Sequence, residues 1–128
     1  MEIGIKGSKT ITVTEEMTAE KIGSGMLPVY ASPCMMAEME NVASLSVQKE
    51  LEEGNGTVGI KMNVNHVSAT PVGMQVRIET ELTEIDRKRL VFKVEAYDEA
   101  GLIGQGLHER FIIQNEKFLA KAESKLEK

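Results

Sequence analysis

The sequence predicts an α+β fold in which one long central helix is wrapped by a curved antiparallel sheet, in a single domain over residues 1–128. Three observations carry this reading. Tyr30 to Gly54 opens with Ser32-Pro33 and then runs about twenty residues with no further Pro and no Gly until Gly54. Most of the remaining chain alternates apolar and polar residues with a period of two, the mark of half-buried strands. Short turns join those strands, and short turns make antiparallel neighbours.

Ser32 offers a side-chain oxygen suited to capping, Pro33 suits the first helical position, and Gly54 suits a left-handed C-cap. With Met35 set at zero and about 100° per residue, Val42, Ser46, Met39, Ala43, Met36 and Val47 share one broad arc. Asn41, Gln48 and Glu52 fall opposite. Glu40 lies on the flank of the apolar arc, beside Met36 and Val47, where a solvated charge is not the simplest explanation.

Before the helix, Ile3–Thr14 reads as an opening strand in which Ile11 and Val13 alternate with threonines. A short helical turn over Met17–Ile22 follows, then a loop broken by Gly23, Gly25 and Pro28, in the position of a segment that covers a pocket. After the helix, Glu53–Gly56 is a turn, and Thr57–Ser68 is a strand with Val58, Ile60, Met62, Val64 and His66 on one face. The turn Thr70–Gly73 leads to a strand with one wet face, in which Met74, Val76, Ile78, Thr80 and Leu82 alternate with polar residues. A basic turn at Arg87-Lys88-Arg89 precedes a strand carrying Leu90, Phe92, Val94 and Ala96. Asp98–Gly101 then turns the chain into a last strand, Leu102–Gln114. That strand places Ile103, Leu107, Phe111 and Ile113 on one face and Gly104, Gly106, His108 and Arg110 on the other. Two glycines inside a strand weaken it unless something approaches closely. The tail 115–128 reads as a charged amphipathic helix with Phe118, Leu119, Ala122 and Leu126 as its contacts. A helix swaddled by such a sheet is the hot-dog arrangement, and its unpaired edge predicts a two-fold homodimer with a continuous sheet, a dimer of dimers remaining open.

Composition narrows the function. A net charge of -5 and five aromatic residues, none of them Trp, argue against nucleic-acid binding, which needs clustered cations and stacking platforms. The one basic cluster reads as a solvated hairpin turn. No apolar run reaches the roughly 20 residues of a membrane span, and the first residues do not form a leader, so a cytoplasmic location is expected. The single cysteine, Cys34, excludes an internal disulfide and reads as a small apolar residue of the first helical turn. His66 and His108 belong to no ligand motif, so no metal and no cofactor are expected.

Three residues suit chemistry on a carbonyl: Ser32, Glu40 and His66. Eight helical positions put Ser32 and Glu40 about 12 Å apart along the axis, too far for direct contact. A substrate, a water or His66 would lie between them.

SPCMMAEMENVA, GTVGIKMNVNHVSATPVG and GLIGQGLHERFI, in that order and at these separations, resemble the fluoroacetyl-CoA thioesterase family of hot-dog proteins over about Ser32 to Lys121. The resemblance implies hydrolysis of a small acyl-CoA thioester to free acid and CoA, with Ser32, Glu40 and His66 as the catalytic group. It also implies a Gly59 backbone N–H for the thioester oxygen and a place for Arg110 in the site or its substrate contacts. Ser32 stands where the family pattern has Thr, so the hydroxyl is kept and a methyl that helps set nucleophile position and acyl selectivity is lost. Gly23–Tyr30 contains no Phe or Trp, so selectivity for a fluorinated acyl group is not carried over. Three roles stay open for Glu40: orienting His66, activating water or attacking the carbonyl. Ser32 is a nucleophile or a hydrogen-bonding group, the second favoured because no base is fixed beside it in sequence. A non-catalytic acyl-CoA or acyl-carrier binding module is the competing class, and an acyl-CoA hydratase or dehydratase a third.

Overall fold

The computed structural model describes residues 1–127. Its strands are β1 (Lys6–Thr12), β2 (Asn55–His66), β3 (Gln75–Asp86), β4 (Arg89–Asp98) and β5 (Gly101–Gln114), and its helices α1 (Ala19–Ile22), α2 (Ser32–Gln48) and α3 (Asn115–Glu123). The strands form one sheet in the order β1-β3-β4-β5-β2, with every pairing antiparallel. The sheet edges are therefore β1 and β2.

The predicted arc of α2 forms the core. Met35, Met39, Val42, Ala43 and Val47 are buried against Val76, Ile78 and Leu82 of β3, Leu90, Phe92, Val94 and Ala96 of β4, and Ile103 of β5. Burying each Val, Leu, Ile, Phe or Met among these side chains contributes about 1.5–3 kcal/mol. Gly104 and Gly106 lie on the face of β5 toward α2 and β2. A Cβ on Gly104 would stand 2.6 Å from the Met35 sulfur, and one on Gly106 would collide with the Asn63 backbone, so close approach is what both glycines permit.

Several expectations are corrected. Ser32 is the first residue of α2 rather than its cap; Ala31 occupies the cap position, and no side chain caps the helix there. The helix ends at Gln48, not near Gly54. Val47 is its last core contact, after which the Glu50 N–H donates to the Val47 carbonyl and the Leu51 N–H to the Gln48 carbonyl, carrying the chain into a turn. Gly54, at φ +88°, serves that turn. The apolar row expected from Val58 to His66 is broken: the β2–β5 register shifts between Gly59 and Lys61, leaving Ile60 bulged and half exposed. A bulge inserts one residue and reverses which side chains face inward beyond it. The α3 helix forms but ends at Glu123, short of the expected tail, and Phe118, Leu119, Ala122 and Leu126 stay exposed instead of packing; Lys128, the last residue of the expected tail, lies outside the described residues.

Candidate active site

The candidate site is built at two places along β2, its C-terminal end and the bulge near its middle. At the C-terminal end, His66 points toward the start of α2, and Ser32 Oγ lies 2.7 Å from His66 Nδ1. Freed from capping, the Ser32 hydroxyl spends its hydrogen bond on the imidazole. His66 Nε2 is buried and has no hydrogen-bond partner among the described residues. Burial lowers the imidazole pKa below its ordinary 6.5, with the Ser68 backbone pulling the other way, so the neutral form prevails at pH 7.

Both residues line a cavity of about 490 Å³ whose other walls include Ala19, Val29, Tyr30, Pro33 and Val67. The segment before α2 thus borders the pocket, as its position suggested. Its base is pinned by bridges between Thr18 and Tyr30 and between Val29 and Pro71, and by a 2.9 Å bond from Tyr30 N–H to the Thr70 carbonyl. The buried Thr70 hydroxyl donates to Asp98 at 2.8 Å, fixing the turn that follows His66.

The second group sits at Gly59, on the other side of the bulge. Arg110 is paired with Gly59 in the β2–β5 ladder and is 7% exposed. Its Nε donates to Thr57 Oγ1 at 2.7 Å, its Nη2 to the Thr57 carbonyl at 2.8 Å, and its Nη1 faces His108 Nε2 at 3.1 Å. The same Nη1 lies 3.6 Å from Glu40 Oε2. Burial lowers the Arg110 pKa while the Glu40 carboxylate opposes it, and a guanidinium remains charged in either case. Gly59 is open to solvent, and a Cβ there would fall 2.5 Å from Glu40 Oε2, so the carboxylate rests directly over the glycine backbone.

Of the five residues read from sequence, Ser32 and His66 meet, and Glu40, Gly59 and Arg110 meet, but the two groups stay apart within one chain. Seven residues of strand at about 3.3 Å each separate His66 from Gly59. His108 and Thr57 complete the second group and were not singled out from sequence. Their signal was the period of two: His108 shares the Gly104–Arg110 face, and Thr57 stands two residues before Gly59.

The sequence profile described as fluoroacetyl-CoA-specific thioesterase matches residues 13–116. A curated fluoroacetyl-CoA thioesterase from Streptantibioticus cattleyicolor is 38% identical over 97 residues, covering 76% of this chain and 70% of that protein. A solved fluoroacetyl-CoA thioesterase structure superposes with a TM-score of 0.93 at 31% identity, covering 98% of this chain and 97% of the other. A Thermus thermophilus thioesterase superfamily member superposes with a TM-score of 0.89 at 32% identity, covering 98% and 93%.

Proposed function

The chain belongs to the fluoroacetyl-CoA-specific thioesterase family, and from that premise we propose that Ser32, Glu40, His66, Gly59 and Arg110 form its reacting site across the interface of a homodimer. As a member of the family it hydrolyses a small acyl-CoA thioester to the free acid and CoA. The observation that carries the site assignment is the 2.7 Å contact of Ser32 Oγ with His66 Nδ1 on a cavity wall. Sequence fixed no base beside Ser32; this contact supplies one, which favours the nucleophile reading.

The dimer reading is supported by β2, which pairs with β5 on one side and leaves a twelve-residue edge on the other. Such an edge is a template for another strand, and a two-fold pairing of β2 with its own copy would satisfy it. With the axis at Asn63, Met62 pairs with the partner's Val64 and Lys61 with the partner's Asn65, and the bulge brings Gly59 and Ile60 together opposite the partner subunit's His66. Glu40, Gly59 and Arg110 of one protomer then face the partner's Ser32 and the partner's His66. The Glu40 carboxylate becomes the acceptor for the otherwise orphaned imidazole Nε2–H.

In this arrangement the Ser32 proton passes to His66 Nδ1 as Oγ bonds to the thioester carbon. The Gly59 N–H receives the carbonyl oxygen as it becomes an oxyanion, a donor whose loss typically costs about 10²–10³ in rate. The C–S bond breaks, the departing thiolate takes the proton from His66, and CoA leaves. Water then attacks the acyl-Ser32 ester, giving its proton to His66; Ser32 Oγ recovers that proton as the acid departs. Glu40 orients the imidazole and stabilises its protonated form.

Thiol release from short acyl-CoA esters tests this reading. Ser32→Ala, Glu40→Ala and His66→Ala each lower the rate by about a hundredfold or more. Co-expressed Ser32→Ala and Glu40→Ala chains recover about a quarter of native activity, because half the dimers are mixed and each mixed dimer holds one intact site of two. Failure to recover refutes the shared site. Binding of CoA esters without thiol release by the folded native protein refutes hydrolysis and favours the binding module.

A further inference from the structure

We propose that His108 is a positioning residue for Glu40, acting through Arg110 as a fixed hydrogen-bond acceptor; this rests on Glu40 belonging to the reacting site. The side chain is 1% exposed, and both ring nitrogens are engaged. Nδ1 lies 2.8 Å from the Lys61 carbonyl, which can only accept, so Nδ1 carries the proton. Nε2 is left with a lone pair, which accepts from Arg110 Nη1–H at 3.1 Å. The tautomer is therefore set by a backbone group beside the β2 bulge.

The consequence falls on Arg110. Thr57 holds the guanidinium through Nε and Nη2, and His108 holds Nη1, the nitrogen that lies 3.6 Å from Glu40 Oε2. Arg110 is the only cation within ion-pair distance of Glu40 among the described residues. Removing the acceptor frees Nη1 to turn about the Thr57 anchor, and the carboxylate loses its fixed counter-charge. An imidazolium at this place would aim an N–H at a guanidinium. Burial holds His108 below its ordinary pKa; the Lys61 carbonyl, Glu40 and Glu109 oppose this and the Arg110 charge adds to it, while β4 contributes only the Phe92 ring, 6.4 Å away between centroids. The reaction uses no proton of His108. Its task is to stay neutral and to accept.

The experiment compares His108→Leu, which keeps bulk and loses the acceptor, with His108→Gln, whose amide offers both an acceptor and a donor. In thiol release, His108→Leu lowers kcat by about tenfold or more, the scale of a displaced reacting group, with KM for the CoA ester within about threefold. His108→Gln restores most of that loss. In a Glu40→Gln background, His108→Leu costs less than about threefold more, since both act on one group. The native protein's imidazole ¹⁵N spectrum, independent of any variant's folding, shows His108 protonated on Nδ1 and bare on Nε2. A proton on Nε2, or native kcat in His108→Leu, overturns the proposal. If Glu40→Gln is inactive and folded His108→Leu is unimpaired, this inference alone fails; if Glu40→Gln turns over normally, the site assignment fails and takes this inference with it.

Discussion

Gly59→Ala separates the site from the fold more cleanly than any other substitution. The new Cβ would stand 2.5 Å from Glu40 Oε2, 3.2 Å from His108 Cε1 and 3.3 Å from Arg110 Nη1. Ordinary contact begins near 3.4 Å, so the carboxylate must retreat by 0.9 Å while the other two give by a tenth or two. The retreat is cheap for stability: Gly59 is open to solvent, its φ is not positive, and the colliding atom is the far end of a flexible side chain. Chemistry is less forgiving, since a displacement of about 1 Å costs on the order of a hundredfold, or about 2.7 kcal/mol of barrier. Gly59→Ala therefore keeps its melting temperature within about 2–4 °C of native, the scale of a change under 1 kcal/mol in a chain of this length, and loses about two orders of magnitude in thiol release. The assay follows CoA with a thiol-reactive dye, the single Cys34 of each chain setting a constant background. Activity within threefold of native would refute the placement of Glu40 over Gly59 as the working arrangement.

Two further outcomes follow from the same groups. Burial lowers the His66 pKa within one protomer, whereas the partner's Glu40 carboxylate in the shared site favours the imidazolium and opposes that shift. The acid limb of kcat/KM therefore moves to lower pH in Glu40→Gln, and a limb that stays in place would contradict contact between the carboxylate and His66. Arg110→Lys replaces the planar fork with a point charge and leaves the Thr57 carbonyl and His108 Nε2 short of donors, so chemical denaturation should register a loss of about 1–3 kcal/mol and thiol release should drop with it. Unchanged stability would mean that the three bonds are not made in solution.

What sequence conveyed and what it withheld divide along a physical line. The apolar arc of α2, the alternation in β3 and β4, and the β3–β4 and β4–β5 hairpins are local patterns, and each survives in the structure; the short turn Thr70–Gly73 does not make β2 and β3 neighbours, because β2 pairs with β5 at the far edge of the sheet. From sequence alone Ser32 also reads as a cap, because capping is a local role, whereas its hydrogen-bond partner in the fold, His66, lies 34 residues away. The end of α2 at Gln48 is not legible in sequence, because helical propensity continues past Val47 although core contact does not. His108 and Thr57 were overlooked because their meaning depends on a guanidinium reached across two strands, and no spacing within one strand announces that.

The bulge at Ile60 is where fold and chemistry meet. Side chains along a strand alternate, so residues 59 and 66, seven apart, belong to opposite faces of a regular strand. In β2, however, Gly59 lies beneath Glu40 of α2, and His66 reaches Ser32 on the same helix. One inserted residue reconciles the two positions: Thr57 and Gly59 face α2 before the bulge, and Met62, Val64 and His66 face it afterwards. The regular row from Val58 to His66 would have turned Gly59 away from the carboxylate and removed Thr57 from Arg110. The same irregularity sets Lys61 where its carbonyl accepts from His108 instead of serving the ladder alone. An exposed Ile60 on β2 is thus the consequence of presenting both halves of the candidate site to the helix from a single strand.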